Sequence, residues 1–236
     1  MSLSFLLMTL QQTCPRNQLK SRTLPNALFG AVIPRNAQGC GHPKFLHVTR
    51  QYLKDYKPTF LGLVEPCISG NRADQVMTAL GYPNSYRIGA SRFSNGLWLC
   101  WKESVQVEVL LQHFQFLHCR VVYMNFGLSF MLTLVYASHS STRRKQLWPY
   151  LRTLATSICC LWLLMGDFNA TVATSERRGD AGSTRACRDF CNFIFESGLR
   201  DLGFQGPDFT WSRVLPLLAW IASSVTLCGM NVSLSP

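Results

Sequence analysis

Short apolar runs, broken by glycine, proline and paired polar residues, divide the chain into alternating strands and amphipathic helices. From Pro43 to Tyr56 the spacing of Phe45, Val48, Tyr52 and Leu53 predicts a helix with one apolar face. Pro43 suits its first turn, and Lys57-Pro58 stops it. Thr59 to Glu65 then reads as a short buried strand, and Asn71 to Leu80 as a helix closed by Gly81. Tyr86–Ala90 and Gly96–Trp101 read as paired strands around the turn signal Asn95-Gly96. Val105–Leu111, Phe116–Met124 and Phe130–Ala137 continue as strands with partial alternation. A helix follows over Thr142–Thr156, with Leu147, Tyr150, Leu151 and Leu154 inward, and then an apolar strand over Ile158–Met165. Asp180–Ser197 is expected to be mostly helical, with short extended pieces at Leu199–Leu202 and Phe209–Ser212. Residues 1–32 show no period and no caps, and are expected to form an atypical, weakly structured leader. Helices alternate with strands, several of them in hairpins, so the pattern predicts an α/β protein with mixed sheets and helices outside.

Composition narrows the picture. The 236 residues suffice for one sizeable core, and 47% apolar content excludes a disordered chain. Lys plus Arg is 23 against 12 Asp plus Glu, a net charge of +11, which favours polyanionic partners: nucleic acid first, an anionic membrane second. Ten cysteines with no C-x-x-C pair argue against a structural zinc site and for reduced thiols in a nuclear or cytoplasmic protein. Leu3 to Leu10 is apolar but has no basic segment before it, so it is not read as a signal peptide. Residues 214–236 carry no charge and are long enough to span a membrane, but Pro216, Ser223-Ser224 and Asn231 argue against that. Neither a Gly-rich phosphate loop nor H-E-x-x-H nor G-x-S-x-G is present.

The sharpest candidate chemistry lies in Leu163-Leu164-Met165-Gly166-Asp167-Phe168-Asn169-Ala170. In an extended chain positions i and i+2 point the same way, so Asp167 and Asn169 would leave the strand together. A carboxylate can orient water or hold a hard cation, and an amide can donate to a phosphate oxygen. The competing reading is an Asx turn after a strand, which favours the same two residues. Glu65 ends another buried strand, placed either to hold a cation or as a solvated strand end. Taken alone, Asn36 reads as a turn residue, Tyr136 as an amphipathic core tyrosine, and His42 and His139 as surface groups. The sequons at Asn169 and Asn231 read as chance matches.

In order, Asn36 with Gln38-Gly39, Phe60-Leu61-Gly62-Leu63-Val64-Glu65, Val135-Tyr136-Ala137, Gly166-Asp167-Phe168-Asn169 and Phe209-Thr210-Trp211-Ser212 resemble the endonuclease/exonuclease/phosphatase superfamily. Within it the chain looks most like the endonuclease domain of plant LINE-type retrotransposon proteins. The resemblance spans roughly residues 34–213. It implies a four-layer α/β sandwich like that of deoxyribonuclease I, with the site in loops at one end. It further implies that Glu65, with Asn36, coordinates Mg²⁺ (or Mn²⁺), and that Tyr136 contacts the scissile phosphate of DNA. Asp167 would activate water, Asn169 would stabilise the phosphoryl oxygens, and Trp211 would support the substrate. Residues 33–213 would then be the domain, with a leader over 1–32 and an uncharged tail over 214–236 outside it. The chain departs from the pattern at Arg35, where the family has Trp, and after Arg213, where no Asp or His follows. A Ser-Asp-His motif is expected there; without it the domain would be incomplete at its C-terminus and weak or inactive. A binding module without catalysis and a phosphatase of the same superfamily are the alternative functions.

Overall fold

The computed structural model describes residues 3–8, 30–33, 40, 43–89, 96–125, 127–170, 188–201 and 220–221. Eleven strands and four helices occur among them. In chain order these are β1 (Leu3–Met8), β2 (Gly30–Ile33), α1 (Pro43–Tyr56), β3 (Phe60–Val64), α2 (Gly70–Ala79), β4 (Asn84–Ile88), β5 (Leu97–Trp101) and β6 (Val105–His113). There follow β7 (Phe116–Tyr123), β8 (Leu128–Tyr136), α3 (Ser141–Ser157), β9 (Trp162–Asp167), α4 (Arg188–Glu196), β10 (Leu199–Asp201) and β11 (Trp220–Ile221).

The strands form two mixed sheets. One has six strands in the order β10-β1-β9-β8-β7-β6, the other five in the order β11-β2-β3-β5-β4. The parallel pairs are β2 with β3 and β8 with β9; the other pairs are antiparallel. Alternation along each strand explains the layering. Phe60 and Val64 of β3 and Leu97 and Leu99 of β5 pack against Leu117, Val121, Leu132, Leu134, Leu163 and Met165 of the other sheet. The opposite face of β3 and β5, with Leu61, Leu63, Trp98 and Cys100, is covered by Phe45 of α1 and by Ala73 and Val76 of α2. Val135, Trp162 and Leu164 on the outer face of the six-stranded sheet are covered by Leu147, Trp148 and Leu151 of α3 and by Phe190 and Phe193 of α4. The result is helix, sheet, sheet, helix: the four-layer α/β sandwich expected from the sequence. Gly62 lets the sheets approach, because a Cβ there would stand 2.6 Å from Leu134 Cδ1 and 3.1 Å from Met165 Cε.

Several local readings change. Leu3–Met8, in the segment expected to be weakly structured, pairs with both β9 and β10. Trp220–Ile221, in the uncharged tail, pairs with β2. The strand expected from Ile158 starts at Trp162 and runs through Asp167, because Ile158 caps α3 instead. On α1 it is Thr49 that is buried, while Val48 is exposed; on α3 Trp148 is buried and Tyr150 is exposed. The buried stripe moves by one position on α1, from Val48 to Thr49, and by two on α3, from Tyr150 to Trp148, shifts that a 3.6-residue period read from sequence barely resolves. Residues 180–187 of the expected fourth helix, and the extended piece Phe209–Ser212, lie outside the described residues. Among the described residues no helix is long and apolar enough to cross a membrane, and each of the seven cysteines there is unbonded to another.

Candidate active site

Three strand ends meet at one end of the sandwich. On β8, Phe130, Leu132, Leu134 and Tyr136 face the inter-sheet core. On β9, Leu163 and Met165 face it too, so alternation carries Asp167 to the same side. Tyr136 and Asp167 are direct register partners across the parallel pair. Across the sandwich β3 ends at Val64, and Glu65 follows at φ 55°, a left-handed conformation that costs a non-glycine residue about 1–2 kcal/mol. That turn breaks the strand's alternation. The Glu65 carboxylate, 8% exposed, accepts a short hydrogen bond from the Tyr136 hydroxyl at Oε1. Its backbone N–H is tied to Gly96 O at 3.2 Å. Glu65 is therefore a buried, partnered acid and not a solvated strand end.

His139 completes the group. Its Nε2 lies 3.3 Å from Glu65 Oε1, and its ring centroid is 6.0 Å from that of Tyr136. Nothing in the sequence singled it out: a lone histidine three residues past a strand carries no spacing signal, and the surface position read for it holds, its side chain being 47% exposed. Here it faces the acid directly. The hydrogen bond to Glu65 raises its pKa, against the opposing pull of burial. Burial, then the hydrogen bond to Glu65, pushes the Tyr136 hydroxyl well above the usual phenol range, so it acts as a neutral donor.

Asp167 and Asn169 do not leave an extended strand side by side, as the i and i+2 reading expected. Asn169 has φ 46°, and its backbone N–H donates to Asp167 Oδ1 at 2.8 Å, forming an Asx turn. Its side-chain Nδ2 instead donates to Ala137 O at 2.6 Å, while Ala137 N–H donates to Asp167 O at 2.8 Å. Asn169 thus ties the loop after β8 to the loop after β9. The turn engages one carboxylate oxygen of Asp167. Burial pushes the Asp167 pKa up from 3.8 to about 6; the Asn169 N–H and His139 pull it back, and the charge on Glu65 adds to the rise. Gly166 permits this strand end: at φ 143°, a Cβ would stand 1.9 Å from Val135 O.

The structure thus gathers Glu65, Tyr136, Asp167 and Asn169 and adds His139. Asn36 and Trp211, the other residues singled out in the sequence, lie outside the described residues. Among the described residues no three His, Cys, Asp or Glu side chains stand close enough to cage a metal by themselves. The donor chemistry still suits a hard cation. Magnesium is commonly held by one or two carboxylates, with water and substrate phosphate filling the remaining positions. Glu65 and Asp167 are the two carboxylates here, close enough for the charge on one to shift the other.

Known structures share this arrangement of sheets. An AP endonuclease from Archaeoglobus fulgidus is similar with a TM-score of 0.51 and 17% identity, over 75% of this chain and 71% of that one. The AP endonuclease LMAP from Leishmania major gives 0.51 and 15%, over 72% and 66%. A mannosyl-6-phosphatase from Bacteroides thetaiotaomicron gives 0.49 and 14%, over 81% and 84%. No curated protein matches the chain in sequence. A family model described as the endonuclease/exonuclease/phosphatase family matches residues 26–219. The two-sheet sandwich and the extent of that match agree: the chain belongs to the endonuclease/exonuclease/phosphatase family.

Proposed function

We propose that the chain is a phosphodiesterase-type domain that cuts DNA with Mg²⁺ (or Mn²⁺), of the kind carried by plant LINE-type retrotransposons. The observation that carries this reading is the contact of Tyr136 with Glu65 across the sandwich, with Asp167 beside Tyr136 in register. On this reading Glu65 holds the ion, with Asn36 beside it. The ion, when bound, supplies positive charge against the phosphoryl oxygens. Tyr136, a neutral donor with a single O–H, would turn it from Glu65 to a non-bridging oxygen of the scissile phosphate once the ion takes up the Glu65 carboxylate. Asp167 orients a water molecule and takes its proton as the water oxygen bonds to phosphorus. The bond from phosphorus to the leaving sugar oxygen breaks, and that oxygen takes a proton from solvent. An acid with a pKa near 6 is a stronger base, once ionised, than an ordinary aspartate. The Asn169 amide, one N–H of which is held by Ala137 O, would turn its other N–H toward the phosphoryl oxygens, and Trp211 would support the DNA.

Basic charge favours DNA over a small phosphate ester as substrate. Residues 209–236 contain no Asp or His, so this stretch offers no His–Asp pair to stabilise the transition state. The test is nicking of supercoiled plasmid in Mg²⁺ by the wild type and by Asp167→Ala. Cleavage that the substitution abolishes supports the enzyme. Salt-sensitive DNA binding without cleavage makes it a binding module. Turnover of a soluble phosphate ester, with none on plasmid, makes it a phosphatase.

A further inference from the structure

The loop that carries Tyr136 and His139 is held from behind by one buried residue with no place in the chemistry above. Gln115 sits in the turn between β6 and β7 and is 1% exposed. Its backbone oxygen accepts from Tyr136 N–H at 2.8 Å. Its side-chain Oε1 accepts from Ser138 N–H at 2.7 Å, and its Nε2 donates to Arg143 O at 3.1 Å. One residue therefore grips the end of β8, the middle of the loop and the first turn of α3. A second strap lies on the same loop: Arg144 Nη1 donates to Ser138 O at 2.8 Å and to His139 O at 3.1 Å.

This pattern differs from ordinary core filling. An apolar side chain would fill the space as well, and a buried amide is costly unless its polar atoms are matched. Both side-chain polar atoms of Gln115 are matched, and both bonds end on backbone within eight residues of Tyr136. Backbone bonds fix a loop's path regardless of the side chains it carries. The path fixed here is the one that sets the Tyr136 hydroxyl and the His139 ring on the same oxygen of Glu65.

We propose that Gln115 is a positioning residue of the active site: its amide clamps Ser138 and Arg143 so that Tyr136 and His139 stay aligned on Glu65. The proposal rests on the reading of Glu65 and Tyr136 as parts of a phosphodiesterase site.

The full chain carrying Gln115→Met, similar in volume but without either polar atom, is compared with wild type and with Val121→Ala. The last is a core truncation in β7 chosen to lower Tm without touching the loop. In plasmid nicking with Mg²⁺, Gln115→Met is expected to lose kcat by about 10–100-fold, with KM for DNA within about twofold of wild type. Val121→Ala is expected to lower Tm and keep kcat. Amide exchange followed by NMR requires no reaction: at Ser138 it is expected to speed up at least about tenfold in Gln115→Met, while β7 amides keep their rates. If Gln115→Met does not fold, Gln115→Asn, too short to reach both partners, carries the same expectations. A kcat equal to wild type, or a loss of kcat that Val121→Ala reproduces, overturns the proposal, as does unchanged exchange at Ser138. Should the wild type not cut any phosphodiester, the proposed function falls, and Ser138 exchange alone then decides for or against the clamp.

Discussion

Asp167 carries two demands that pull apart. The role proposed for it as a base requires ionisation, and its burial opposes it. The folded-state pKa of about 6 lies above the ordinary 3.8, so the folded chain holds this proton more tightly than the unfolded one. The group's favourable contribution to stability is complete below about pH 3.8 and is lost as pH rises through about 6. Asp167→Asn keeps the shape and an acceptor for Asn169 N–H but has no charge to bury. In EDTA it is expected to gain about 1–3 kcal/mol at pH 8, and nothing at pH 3. Urea unfolding at the two pH values checks this, and the same variant should fail in plasmid nicking. Cleavage by the wild type is expected to rise with pH through about 6, as Asp167 ionises. At this scale the sequence was readable where a polar residue interrupted an apolar run, as at Glu65 and Asp167. It was silent on His139 and Gln115, whose importance comes from what the fold brings against them, 74 residues away for His139 and Glu65.

Glycine and proline set the elements most sharply. At Gly166 a methyl group would collide with the Val135 carbonyl, a backbone atom in a paired strand that cannot move aside. At Gly62 it would meet the ends of Leu134 and Met165, flexible side chains with other rotamers. Gly62→Ala is therefore expected to cost about 1–3 kcal/mol. Gly166→Ala is expected to cost more than about 4 kcal/mol, at the extreme of single substitutions, or to prevent folding; thermal unfolding of the two proteins side by side separates the cases. Pro149 sits inside α3, where it cannot donate to Lys145 O. It is exposed, so little packing depends on it. Pro149→Ala is expected to raise stability by about 1–2 kcal/mol, read as a Tm increase of roughly 2–6 °C. The helices and hairpins were legible because their periods were strong. Strand β1 was not, since a run of apolar residues without alternation fits a leader as well as a central strand.

For the whole molecule, the net charge sets how it would meet the polyanionic substrate proposed for it. A net charge of +11 makes association with a polyanion release counterions. Binding to double-stranded DNA, measured by fluorescence anisotropy, is expected to weaken by at least about tenfold between 50 and 200 mM salt. An affinity flat across that range would remove nucleic acid as the natural partner. The layered fold followed from the alternation of apolar positions, but the strand order did not, because register partners far apart in sequence leave no local trace.

Strand β1 ties the assembly of this molecule to the order of its synthesis. Leu3 pairs with Asp167 and Leu6 with Asp201, so the strand beside the proposed catalytic base is made before both of its neighbours and must wait for them. Until residue 167 has left the ribosome Leu3–Met8 has neither partner strand, and until residue 201 has left it the edge of β1 that β10 covers stays bare and open to other chains. The protein should therefore fold slowly, with a late step that closes the sheet and the site together.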